Sequence, residues 1–147
     1  MDIIDAWLGE RGVLYGLFDW YEKSASRAGM LSEVQMLARP LTEALVAHAH
    51  LEDKLLFPAL DSGSSLKKPL EVMDREHKGI EQALQGVENC TRKAEALEQI
   101  LTAIGVAREH FAREKRIVFP RVRQVLSGPK MMQLTRRWSE ARGVAIP

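Results

Sequence analysis

His48-Ala-His-Leu-Glu52-Asp-Lys-Leu-Leu-Phe57-Pro58 and His110-Phe-Ala-Arg-Glu114-Lys-Arg-Ile-Val-Phe119-Pro120 are two copies of one pattern, H-x-x-x-E-x-x-x-x-F-P. Each copy sits in a long stretch with apolar residues three and four apart, the spacing of an amphipathic helix. On a helix, a His and a Glu four apart lie on one face, about 40° apart around the axis. Two such pairs facing each other inside a bundle make a pocket of nitrogen and carboxylate donors. That donor set suits a transition metal, with iron the first expectation.

Working outward, the same periodicity covers nearly the whole chain, and no stretch alternates as a strand would. Helix A is expected over about residues 2–26, with Ile4, Leu8, Leu14, Phe18 and Tyr21 on its apolar stripe, and Ala28-Gly29-Met30 breaking it. Helix B is expected from Ser32, as N-cap, to about Leu60, with Pro40 either kinking it or marking its true start. Asp61-Ser-Gly-Ser-Ser65 reads as a break. Helix C is expected from Leu66 to about Asn89 with Pro69 in its first turn, and helix D over about 93–126, stopped by Ser127-Gly128-Pro129. A short last helix over about 129–142 is expected to end at Gly143. Short connections make neighbours antiparallel, so the expected fold is all-α, an up-down-up-down four-helix bundle with a short C-terminal helix. The chain of 147 residues fits one domain, taken as 1–147.

The chain also carries an internal half-repeat. Beyond the shared motif of helices B and D, Glu10-Arg11-Gly12-Val13-Leu14 on helix A matches Glu76-His77-Lys78-Gly79-Ile80 on helix C. Helix A then B therefore repeats as C then D.

Composition narrows the function classes. Hydrophobic content of 46% and charged content of 28% are ordinary for a soluble globular chain. A net charge of +1 gives no electrostatic reason to expect nucleic acid or an acidic surface. Cys90 is the only cysteine, which excludes an internal disulfide and a cysteine-based zinc site. With no secretory pattern at the start and no bilayer-length apolar run, a cytoplasmic location and no membrane partner are expected.

His48, Glu52, His77, His110 and Glu114 all interrupt otherwise apolar stripes. One histidine on such a stripe is more often a hydrogen-bonded core residue than a ligand. Two identical copies plus a third inward histidine are poorly explained that way. A buried carboxylate needs a compensating charge or a proton, and metal ions supply the charge. The two Phe-Pro pairs read as structural, because Pro frees the carbonyl four residues back, here Lys54 and Arg116, and bends the helix. His50 falls on the opposite face from His48. Trp7, Phe18, Trp20 and Tyr21 read as core or as packing for the last helix. Trp138 reads as the anchor of that helix, and Arg136-Arg137 as a solvated face.

On these residues the chain resembles the hemerythrin-like HHE cation-binding family. The resemblance implies a four-helix bundle holding two non-haem irons. Glu52 and Glu114 would be the bridging carboxylates, His48 the ligand of one metal, and His77 and His110 the ligands of the other. It implies interaction with dioxygen or a related small oxidant: oxygen binding, oxygen or iron sensing, nitric-oxide response or peroxide handling.

The family's helix A histidine falls where Arg11 stands, and a guanidinium is no ordinary metal ligand. Three outcomes follow: a dinuclear site with water, oxide or another side chain in the gap, a single metal, or Arg11 pairing with Glu52 or Glu114 in an empty bundle. The dinuclear outcome is the first expectation. Tyr15 and Glu81 are placed to fill the gap, but read better as a packing aromatic and a surface acid. Extra open coordination favours redox reaction over reversible oxygen carriage. From a different class comes the alternative of a regulatory or protein-interaction bundle with a structural or degenerate metal site. Beyond the metal position no substrate pocket is legible, so an enzyme requires demonstrated turnover.

Overall fold

The computed structural model describes residues 1–60 and 66–146. Their regular structure is all helical, with no strand among them: α1 (Ile3–Arg27), α2 (Leu31–Leu51), α3 (Phe57–Leu60), α4 (Lys67–Gly86), α5 (Lys93–Val125) and α6 (Gly128–Arg142). Between α2 and α3 lies a π-helical turn, Glu52–Leu56, and a short 3-10 turn, Val87–Asn89, follows α4. The break expected at 61–65 lies outside the described residues.

Local chemistry explains the helix ends. The Asp2 carboxylate accepts from Ile4 N at 2.8 Å and Asp5 N at 2.9 Å, while Asp5 accepts from Asp2 N at 2.9 Å, a reciprocal cap that starts α1. Ser32 does not cap α2. The helix starts at Leu31, and Glu33 reaches back to accept from Gly29 N (2.6 Å) and Met30 N (3.3 Å) ahead of its first turn. Pro40 lies inside α2 and neither starts nor ends it. Ser127 caps α6, and Gly143, in the left-handed region at φ 62°, closes it.

Helices α1, α2, α4 and α5 pack as a ring in the order α1, α2, α4, α5, with α2 and α5 also in contact across it, and α6 lies on α1. The inward stripe of α1 is Ile4, Trp7, Arg11, Leu14, Phe18, Tyr21 and Ala25. Leu8, expected on that stripe, is on its border and 36% exposed, because Trp7 holds the position one turn before Arg11. Trp20 is also not core: it is 50% exposed, with its ring edge-on to Tyr21. Trp138 is buried as expected, and Arg136 and Arg137 are exposed.

The buried apolar residues form two clusters. One gathers Ile4, Trp7, Leu56, Met73, Phe119 and Trp138; the other gathers Leu14, Phe18, Leu41, Ile80, Ile104 and Phe111. Every helix of the ring changes cluster at a polar residue: Arg11 between Trp7 and Leu14, His48 and Glu52 between Leu45 and Leu55, His77 between Met73 and Ile80, His110 and Glu114 between Ala107 and Val118. A charged belt thus separates two apolar ends.

Candidate metal centre

Six polar side chains make the belt: Arg11, His48, Glu52, His77, His110 and Glu114. None is more than 6% exposed. So much charge out of water is tolerated only when each group has a partner.

Each histidine is gripped from outside by a carboxylate. His48 Nδ1 lies 2.6 Å from Glu10 Oε2, His77 Nδ1 2.9 Å from Asp53 Oδ1, and His110 Nδ1 2.9 Å from Glu76 Oε2. A carboxylate only accepts, so each Nδ1 carries the proton and each Nε2 faces the belt. This is the way metal-binding histidines are oriented. The outer acids are braced in turn. Glu10 accepts from Trp138 Nε1 (2.6 Å) and from Arg142 Nε (2.6 Å) and Nη2 (3.0 Å), while Arg113 pairs with Glu76. Burial raises the Glu10 carboxyl, but His48 and Arg142 outweigh it and hold it at about 2. Glu76 is likewise lowered, by His110 and Arg113 against its burial.

Inside the belt, His77 Nε2 and His110 Nε2 lie 2.9 Å apart, and His77 Nε2 lies 3.5 Å from Glu52 Oε2. Glu52, His77 and His110 each offer one donor atom, all within 4.8 Å of one another, the one such group of three among the described residues. His48 and Glu114 lie beside this group. His48 Nε2 is 3.2 Å from Glu52 Oε1, and Glu114 Oε2 is 3.5 Å from His110 Nε2. Burial pulls His48 down, yet the charge of Glu52 and the bond to Glu10 lift it to about 9. Asp53 and Glu52 lift His77 against its burial to about 10. Burial raises Glu52, but His48 and Arg11 hold it well below the ordinary carboxylate value.

Arg11 lies at the centre. Its Nη2 donates to Glu52 Oε1 at 2.9 Å and also to Glu114 Oε2. Its guanidinium packs between the rings of Phe119 (4.3 Å) and Phe111 (4.8 Å). Four buried atoms of the belt have no hydrogen-bond partner among the described residues: Arg11 Nε, His48 Nε2, Glu52 Oε2 and Glu114 Oε1. Leaving such atoms unmet is costly; the two carboxylate oxygens, and His48 Nε2 once it gives up its proton, are donors that a cation would satisfy. The residues therefore fit a bound metal.

Neither Tyr15 nor Glu81 fills the gap, in keeping with the packing and surface roles read for them. Tyr15 packs edge-on against Phe18 and Phe111 with Arg108 over its ring. Glu81 accepts from Gln85 at 3.0 Å and lies 3.5 Å from His50, whose side chain is exposed. The bend expected before Pro58 takes the form of the π turn, in which Phe57 N donates to Glu52 O. No such turn precedes Pro120, where α5 stays α-helical to Val125. The Phe of each motif proves to be part of the site: Phe57 stacks on His77 at 5.5 Å, and Phe119 lies against Arg11. Sequence reasoning missed the outer acids Glu10, Asp53 and Glu76. Two of them were signalled by the repeat, which sets Glu10 before Arg11 and Glu76 before His77.

Comparison with curated proteins and with solved structures returned no match. The family model of the hemerythrin HHE cation binding domain matches residues 2–128, which spans the ring of helices and ends where α6 begins. With its paired histidine–glutamate motifs brought into one buried belt, this chain belongs to the hemerythrin HHE cation-binding family.

Proposed function

We propose that this chain binds iron in the belt and interacts there with dioxygen or a related small oxidant. It does so as a single domain on an up-down-up-down bundle, a course that the ring of packing partners supports. The observation that carries the reading is the convergence of Glu52, His77 and His110 within 4.8 Å, both rings turned inward by Asp53 and Glu76. Iron bound there supplies one-electron redox chemistry that no protein side chain of the belt provides.

The chain's own residues set the conditions. Asp53 and Glu76 hold the Nδ1 protons, which turns each Nε2 toward the group as the atom that would bind a metal. Glu52 keeps one oxygen without a hydrogen-bond partner, 3.5 Å from His77 Nε2. A cavity of about 20 Å³ opens beside His48, His77 and His110, walled by Leu45, Ile80 and Phe111. That volume admits one molecule about the size of water, a scale that favours very small ligands over larger substrates. The apolar wall keeps bulk water away from the histidines.

Protein loaded with ferrous iron without oxygen should change its visible absorption on exposure to oxygen, peroxide or nitric oxide. Glu52→Ala should abolish both iron retention and the change. Iron-loaded protein that stays optically silent to all three would sink the oxidant reading. The Arg11 ion pairs with Glu52 and Glu114 favour a second reading, a regulatory bundle that is complete without metal. An unchanged melting temperature on adding iron is its signature.

A further inference from the structure

The belt has two halves, and their contacts repeat as the sequence does. Glu10 holds His48 as Glu76 holds His110, at 2.6 and 2.9 Å. An arginine braces each acid, Arg142 on Glu10 and Arg113 on Glu76. Phe119 packs on Arg11 as Phe57 packs on His77. Arg11 therefore occupies the counterpart of the His77 position in space as well as in sequence.

We propose that the Arg11 guanidinium is a built-in cation in one of two equivalent positions between Glu52 and Glu114, so that the site takes one metal ion, at Glu52, His77 and His110. The inference rests on the metal-binding reading above and departs from the pair of irons that the family resemblance implies.

Three observations carry it. First, each carboxylate gives one oxygen to Arg11 Nη2 and leaves the other without a hydrogen-bond partner among the described residues, Glu52 Oε2 and Glu114 Oε1. A pair of bridging carboxylates with one cation already in place looks like this. Second, a guanidinium has no lone pair to offer and keeps its charge, so it excludes a metal from its own position by sterics and by repulsion. The rings of Phe111 and Phe119 and the Phe111 carbonyl, 3.5 Å from Nη1, hold it there. Third, the orienting acid is missing where the ligand is missing. Asp53, next to Glu52, fixes His77; the residue next to Glu114 is Lys115, and it is exposed. A histidine at position 11 would need an acceptor there, whereas an arginine does not.

The test is the number of cobalt(II) ions retained per full-length chain, read by elemental analysis after metal-free protein is titrated and desalted, in wild type and in Arg11→His. About one ion in the wild type and about two in Arg11→His are expected. Two in the wild type overturns the inference and leaves the metal-binding reading standing. One in both proteins overturns it as well, since Arg11 is then not what excludes the second ion. None in the wild type with two in the variant overturns the count of one, and none in either defeats the metal-binding reading itself. Should Arg11→His fail to fold, Arg11→Ala removes the cation without adding a ligand. Its count should rise above one, and an unchanged count of one would overturn the proposal.

Discussion

Arg11 is 2% exposed, and its neighbours Glu52 and Glu114 are fully buried. Removing one member of a buried ion cluster leaves uncompensated charge, which costs about 3–5 kcal/mol. Arg11→Met should therefore destabilise metal-free protein by about that amount in urea unfolding, and added metal should restore much of it. A loss below about 1 kcal/mol, the scale of an exposed pair, would mean that the two glutamates do not depend on Arg11. The residues of this cluster were legible in the sequence because charge on an apolar stripe is conspicuous. Their partners were not. Glu10, Asp53 and Glu76 sit beside the stripe, where acids are ordinary, and only the folded chain shows that each faces a histidine on another helix.

At the scale of the elements, α6 lies beyond the matched family residues yet reaches the belt, through Trp138 and Arg142 on Glu10 and through Arg142 Nη2 on Ala47 O at 3.1 Å. Hydrogen bonds to a charged group contribute about 1.5–3 kcal/mol. Arg142→Ala should lower stability by that order in thermal or urea melts, with a larger loss when Trp138→Phe removes the other donor to Glu10. Equal melts for wild type and both variants would show that α6 only covers the bundle. The long helices were found, with their bounds a few residues off, because breakers such as Gly29 and Ser127-Gly128-Pro129 are strong local signals. The π turn was not legible. Pro58 and Pro120 stand in identical motifs, but a π turn precedes the first and unbroken α-helix the second. Which of the two precedes the proline is a property of the fold, and the motif does not encode it.

For the whole molecule, the belt couples stability to pH. His48 and His77 are raised from 6.5 to about 9 and about 10. Groups raised in the folded state contribute stability that is full below pH 6.5 and is lost as pH rises through 9 and 10. Glu10, lowered from 4.5 to about 2, contributes above pH 4.5 and loses its contribution as pH falls through 2. Metal-free protein should thus melt highest between these limits and decline on both sides. Bound metal should flatten the alkaline decline, because the ligand rings are then held without their second proton. An equally flat alkaline profile without metal would contradict the raised histidines. Among the described residues no helix is long and apolar enough to cross a membrane.

The half-repeat has a consequence for heredity. Arginine codons CGU and CGC become histidine codons CAU and CAC by a single G-to-A transition. If Arg11 sets the metal count and is encoded by one of these two codons, a one-ion and a two-ion belt lie one nucleotide apart, with His48, Glu52, Glu114 and Phe119 already in place and an acid to orient the new histidine still lacking, since Lys115 stands at the counterpart of Asp53. A lineage carrying this bundle could cross that gap in either direction without rebuilding the fold.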